Sequence, residues 1–326
     1  MKPNSPPRIL LTGANGFIGK RLLYRLDAMG YSVRCMVRSP EKLNLAFPLE
    51  NEPEVVAGDL LDPASLKNAL HGIDTAYYLV HSMGGKNLRE RKAFEERDRV
   101  AARNFVNAAD QSGLSRLIYL GGLGEATDNI SPHLSSRQEV GKILASGNAA
   151  ATILRAAVII GAGGAGFEIM RYLVERLPVM LCPKWIYTQS QPIAVENVLD
   201  YLAGCLKTPE TTGATFDIGG PEVLSYADLM RKYARVRGLK RYIIGVPFFN
   251  MILSTYWVAL ITPVPSGIVF PLAEGLRTPA VCREKRIIDL VPLQLVDMEQ
   301  AICNALAEEE NGPGQLISQQ ACFLSE

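Results

Sequence analysis

Residues 11–19, LTGANGFIG, constrain this chain more than any other stretch, because glycines at 13, 16 and 19 fall between an apolar run and a helical pattern. The preceding RILLTG (8–13) reads as a buried strand. The following GKRLLYRLDAMG carries Leu22, Leu23, Leu26 and Met29 at helical spacing, with Gly30 as a stop. Each glycine has a physical task in such a unit. Gly13 makes the tight turn, Gly16 lets backbone approach a pyrophosphate, and Gly19 lets the helix pack closely on the strand. The backbone N–H groups of Asn15, Gly16, Phe17 and Ile18 would then face a diphosphate at the positive end of the helix dipole. Glycine triplets also occur in ordinary turns, but one placed between a strand and an amphipathic helix points to dinucleotide binding.

Further β-rich runs follow: SVRCMVR (32–38), EVVAGDL (54–60), TAYYLVH (75–81), RLIYLGG (116–122) and TILRAAVIIG (152–161). They alternate with helical patterns, which is the arrangement of a Rossmann-type, doubly wound parallel sheet of the α/β class. After Gly161 the texture changes to a Gly/Ala run, a proline-punctuated segment and more helices. The expected organisation is an NAD(P)-binding core over 1–160, a small C-terminal substrate or interaction lobe over 161–305, and a flexible tail over 306–326. TFDIGG (215–220) and RYIIGVP (241–247) read as further strands, so the lobe is expected to interleave with the sheet.

At the end of the second strand stand Val37 and Arg38, with no acid to accept hydrogen bonds from ribose hydroxyls. The guanidinium fork of Arg38 suits a 2'-phosphate, so NADP is expected, with NAD as the alternative. Lys and Arg total 34 against 33 Asp and Glu, which provides no net field for nucleic acid or an anionic membrane. The six cysteines are scattered without metal-ligand spacing, so no metal is expected. Reduced cysteines and the lack of an export signal suit a cytoplasmic protein. From Tyr242 to Ala273 there is no charged residue, and 248–262 (FFNMILSTYWVALIT) is nearly all apolar. That is short for a span of roughly 20 residues and is bracketed by prolines. The expectation is a buried or subunit-interface helix, with peripheral membrane contact as the alternative.

TGANGFIG, GDLLD (58–62) and YLVHS (78–82) together resemble the short-chain dehydrogenase/reductase superfamily. The resemblance implies that Asp59 and Leu60 lie against the adenine and that Leu79, Val80 and His81 line the adenosine and diphosphate. Asp59 has a competing reading as a helix cap, although Asp62 before Pro63 fits that better. YLVHSMGG (78–85), RLIYLGGLG (116–124), HLSSRQEVG (133–141), RYLVERLPVM (171–180) and FDIGGPEVLSYADLM (216–230) are similar to the atypical YbjT-like subgroup, related to NmrA-like proteins. That likeness implies a nucleotide-binding fold without the standard active site, with a His-x-x-x-Arg pair in place of Tyr-x-x-x-Lys. Gly121 and Gly122 stand where the family's catalytic serine is expected, and 131–142 (SPHLSSRQEVGK) has no tyrosine. Lys142 follows Gln138 by four residues and reads as a solvated helix residue.

Ser131 and Pro132 make a helix opening, Ser as N-cap and Pro at N1, which puts His133 and Arg137 on one face. An imidazole near a nicotinamide can donate a proton to a developing alkoxide, and the guanidinium can stabilise the anion. The same cation lowers the imidazole's pKa. The alternatives are anion binding without turnover, or surface decoration. His71 reads as an exposed turn residue and His81 as a cofactor-pocket contact. The function expected is an NADP-dependent oxidoreductase acting on a hydrophobic carbonyl or enone, with the glycine loop after Ile160 and the apolar 248–262 walling the pocket. The rival is a non-enzymatic NAD(P)-binding redox sensor, regulator or assembly factor with a protein partner. Homo-oligomer formation is left open.

Overall fold

Central strands of a parallel sheet are covered on both faces and need apolar side chains on both, and the N-terminal half of the chain supplies them. The computed structural model describes residues 7–45, 47–81, 88–124, 131–246 and 258–311. In chain order the first half is β1 (Ile9–Thr12), α1 (Phe17–Ala28), β2 (Val33–Val37), β3 (Glu54–Ala57), α2 (Pro63–Leu70), β4 (Thr75–Tyr78), α3 (Leu88–Ser112), β5 (Arg116–Gly122), α4 (Pro132–Leu144) and β6 (Ala150–Ala156). The second half is β7 (Ile159–Ile160), α5 (Ala165–Arg176), β8 (Val179–Pro183), β9 (Gln189–Ser190), β10 (Ile193–Ala194), α6 (Val195–Lys207), β11 (Thr215–Ile218), β12 (Leu224–Ser225), α7 (Tyr226–Val236), β13 (Tyr242–Val246), α8 (Ser266–Gly275), α9 (Arg286–Leu290) and α10 (Met298–Asn311).

Seven parallel strands form the main sheet in the order β3-β2-β1-β4-β5-β6-β11. Every residue of β1, β2 and β4 is buried. On one face α1 and α6 pack through Leu22, Leu26, Val198 and Leu202 against Ile9 and Leu11. On the other, α2, α3 and α4 bring Leu66, Phe105 and Val140 against Leu10, Tyr78 and Leu117. Burying each such side chain stabilises the fold by about 2 kcal/mol. A third apolar cluster joins α5, α7 and α10 through Phe167, Met170, Tyr233 and Ile302, and is the core of the C-terminal lobe. Chain order reverses between β1 and β4, whose C-terminal ends are level, Thr12 lying opposite Tyr78. Crevices at such reversals are where open α/β sheets bind ligands.

Some elements differ from the sequence expectation. The run 152–161 is two strands, because after Ala156 the chain leaves the main sheet and Ile159–Ile160 pairs with β10. Of the expected strand 241–247, Tyr242–Val246 forms and joins no part of the main sheet; it pairs in parallel with β8 as a separate ribbon, and Pro247 lies outside the described residues. The expected tail does not begin at 306: α10 continues to Asn311, held by Glu308 on Arg21 and Glu309 on Arg171. Those ion pairs join positions far apart in sequence, so nothing local to 308–310 announces them. Residues 312–326 and 248–257 lie outside the described residues.

Candidate cofactor and substrate site

The end of β1 is tied to β4 through one hydroxyl. Thr12 Oγ1 donates to the Tyr77 carbonyl at 3.0 Å and accepts from the Leu79 N–H at 3.2 Å. This brings the Leu79 carbonyl so close that a Cβ on Gly13 would lie 2.7 Å from it, and Gly13 has φ +73°. A Cβ on Gly19 would lie 2.1 Å from the Gly13 carbonyl oxygen, so only glycine lets α1 begin here. Gly16 is different. Its added Cβ would meet only the Gly13 oxygen, at 3.1 Å, because its other side is open to the crevice. Gly16 caps α1 without a side-chain hydrogen bond, and no acid stands in the first turn. The positive helix end is therefore turned to the crevice uncompensated by side chains.

A cavity of about 1310 Å³ runs from the tip of β2, across this turn, to the C-terminal lobe. At the β2 end its wall holds Arg38, Ser39 and Lys42, with Asp59 and Leu60 opposite; Gly13, Asn15, Gly16, Phe17, Ile18 and Gly19 follow. Leu79, Val80 and His81 line it from the end of β4. Arg38 is exposed, Asp59 half-buried and Leu60 buried. Asp59 Oδ1 accepts from the Leu61 N–H at 2.9 Å, while the cap of α2 is Asp62, accepting from Ala64 at 3.0 Å. Residues 258–280 close the far end with Val258, Val269, Leu272 and Thr278.

The helix opening at Ser131 forms as its chemistry dictates: Ser131 Oγ accepts from the Leu134 N–H at 3.3 Å and Pro132 occupies the first turn. His133 and Arg137 both reach the cavity wall. The rings of His133 and His81 stand 6.2 Å apart, centre to centre. Arg137 donates to the Leu120 carbonyl at 2.6 Å, and its backbone carbonyl accepts from the Tyr119 hydroxyl at 3.2 Å. A Cβ on Gly122 would meet Leu134 Cδ2 at 2.9 Å and Arg137 Cδ and Nε at 3.4 Å. The space that a side chain at 122 would need is thus occupied by Leu134 and Arg137 of α4. Lys142 is exposed and does not line the cavity.

Burial, and then the Arg137 cation, push the His133 imidazole down to about 4 from its ordinary 6.5. His81 is lowered as well, by the protein around it first, then by Arg137 and His133. Its side chain borders the cavity. Both rings are neutral near pH 7. Tyr226, also in the wall, donates to the Gly166 carbonyl at 3.0 Å, and burial raises its phenol far out of the titrating range. Burial likewise holds Cys182 as a thiol, up to about 11.

Some cavity residues carried no readable signal. Lys42 lies beside Arg38 only because residues 40–42 make a short helical turn after β2. Phe94, Arg97 and Asp98 arrive on a helix whose sequence reads as a solvated charged run. The Phe17 ring packs where Cβ atoms on Gly161 and Gly164 would stand, at 3.1 and 3.0 Å, so the two glycine loops interlock. Arg21 secures the junction, donating to the Phe17 carbonyl at 2.9 Å and the Ala162 carbonyl at 2.8 Å. Thr278 Oγ1 is buried in the wall with no hydrogen-bond partner among the described residues.

Residues 13–159 match the NAD(P)H-binding domain family. A ceramide reductase of Caulobacter vibrioides is 26% identical over 242 residues, 73% of each chain. The photosystem II assembly factor Ycf39 of Synechocystis is 24% identical over 246 residues, covering 74% of this chain and 71% of that protein. Among solved structures, the triphenylmethane reductase of Citrobacter in complex with NADP(H) superposes with a TM-score of 0.70. It shares 19% identity and covers 91% of this chain and 99% of its own.

Proposed function

We propose that this chain, which carries an NAD(P)H-binding domain, is an NADP-dependent oxidoreductase of the atypical short-chain dehydrogenase/reductase kind that acts on a hydrophobic carbonyl or enone. The observation that carries the reading is the continuity of one cavity from cationic Arg38 and Lys42, past the glycine turn, to an apolar lobe, with His133 and His81 at the junction. The glycine turn would bind the diphosphate with backbone N–H groups, and Arg38 with Lys42 would take the 2'-phosphate. The cofactor supplies a hydride. His133 would deliver the proton that the reduced oxygen needs, and Arg137, braced on Leu120, would hold the local field positive. The unpartnered Thr278 hydroxyl is suited to orient a polar atom on an otherwise apolar substrate. The similarity to a ceramide reductase and the shared fold of a triphenylmethane reductase are consistent with such substrates.

With its pKa near 4, His133 is an imidazolium in only about one molecule in a thousand at pH 7. A reaction that uses it as the acid should quicken as pH falls, by up to tenfold per unit. The test is NADPH oxidation across hydrophobic aldehydes, ketones, enones and quinones. His133→Gln should keep NADPH binding, lose about 10²-fold in turnover, and flatten the acidic rise. A second reading, a non-enzymatic NAD(P)-binding sensor or assembly factor, draws support from the serine space filled by α4 and from the low proton occupancy of His133. The similarity to an assembly factor agrees with it. Under that reading the screen yields no turnover, and NADPH occupancy changes binding to a protein partner.

A further inference from the structure

Charge is distributed unevenly along the wall of the cavity. Among the described residues, every acidic, basic or imidazole side chain in the wall lies between Arg38 and Arg137 in the sequence. From Ala156 to Ala280 the wall holds none. The cofactor end is therefore charged, and the lobe end is an apolar arm whose wall offers no counter-ion to a charged ligand. The volume of about 1310 Å³ exceeds the roughly 300–1,000 Å³ of a site for one small molecule, so a dinucleotide at the glycine turn leaves this arm for a second ligand.

The arm has a direction. α5 begins against the cofactor turn, where a Cβ on Gly164 would lie 3.0 Å from the Phe17 ring, so its C-terminal end is the remote one. Ile169, Leu173 and Leu177 recur every four residues on its cavity side and mark about 12 Å of helix axis. Val269, Leu272 and Leu276 supply a second apolar stripe from α8 and its cap. Polar groups collect at the near end. A Cβ on Gly124 would lie 2.9 Å from Leu134 Cδ1 and 3.6 Å from Thr278 Cγ2, so Thr278 stands beside the start of α4, which carries His133. Thr278 is 5% exposed, and its hydroxyl has no hydrogen-bond partner among the described residues.

We infer that the arm holds the tail of an elongated, uncharged lipophilic carbonyl compound, its carbonyl at the end with His133 and Thr278 and its tail along α5 toward Leu177. The assignment of the carbonyl end rests on the reductase reading, whereas the tail follows from the wall alone. A phosphate, carboxylate or ammonium on the tail would lie against apolar side chains without a partner, which opposes binding. Each methylene laid along the stripes instead leaves water for an apolar surface. The Thr278 hydroxyl gives the carbonyl oxygen a hydrogen bond at the one polar point the arm retains. A compact carbonyl compound fills only the near end and leaves both stripes wet.

The test is calorimetric binding of straight-chain methyl ketones, with tails of about three to ten carbons, to the full chain saturated with oxidised NADP, so that affinity is read without turnover. Affinity should rise about fourfold per methylene until the tail reaches Leu177, and then level. The longest ketone carrying a terminal carboxylate should bind at least about 100-fold more weakly than its neutral parent. Leu177→Phe should end the rise earlier than in the wild type, and Leu173→Phe, one turn nearer the cofactor, earlier still; a general loss of packing gives no such grading. A cofactor-induced rise in the unfolding midpoint reports that each variant is folded, and if Leu173→Phe is not, the wild-type series and Leu177→Phe still decide. The inference is overturned by absence of binding, by affinity indifferent to tail length, by equal binding of the carboxylate, or by folded variants with the wild-type profile. Turnover with NADPH is read separately. Ketones that bind with the expected profile but are never reduced sink the reductase reading and keep the tail site, whereas reduction indifferent to tail length does the reverse.

Discussion

Replacing His133 by Gln and unfolding both proteins in urea at about pH 7.5 and about pH 5 measures how the α4 pocket treats a charge. In the folded chain His133 has its pKa near 4, against an ordinary 6.5. The unfolded chain therefore takes up the proton as pH falls through 6.5, while the folded chain resists it until about 4. Stability is fully present above the unfolded value and is lost as pH falls across that window. At about pH 5 the difference is about 2 kcal/mol for a fully enclosed ring. His133 borders cavity space, and solvent screening reduces the expectation to about 1–2 kcal/mol. His81 is shifted in the same direction and is present in both proteins, so the comparison largely cancels it. Wild type should thus lose about 1–2 kcal/mol more than His133→Gln between the two pH values, at equal m-value. Parallel pH dependences would refute the reasoning and would mean that water reaches the imidazole freely.

Further expectations concern the cofactor end and the serine position. NADPH should raise the unfolding midpoint more than NADH at equal concentration, and Arg38→Ala should shrink the difference; equal shifts in the wild type would remove Arg38 from the 2'-phosphate role. Gly19→Ala forces a Cβ to within 2.1 Å of the Gly13 carbonyl oxygen and should cost at least about 2 kcal/mol in denaturant unfolding, with loss of the NADPH-induced shift. Gly122→Ser, which restores the serine of the wider family, should destabilise by about 1–3 kcal/mol, because it pushes on Leu134 and on the Arg137 side chain bonded to Leu120. A neutral effect there would show that α4 yields easily to a side chain at 122.

What the sequence determined by itself was whatever depends on near neighbours. The β1–glycine turn–α1 unit, the Asp62 and Ser131 caps and the stop at Gly30 follow from side-chain chemistry and spacing within about one helical turn, and the structure builds each of them. The strands were legible because both faces of a parallel sheet demand apolar runs. The tertiary structure decided what depends on distant partners. Arg21 locks the two glycine loops and reaches Glu308, 287 residues away, turning a supposed tail into the end of a helix. β13 left the main sheet because a strand's own sequence does not state which edge it will pair with. The packing of α4 on Gly122 needed two elements in contact before it could be seen. So did the single cavity joining Arg38 to Thr278: periodicity records which face of an element is buried, and only packing decides what that face meets.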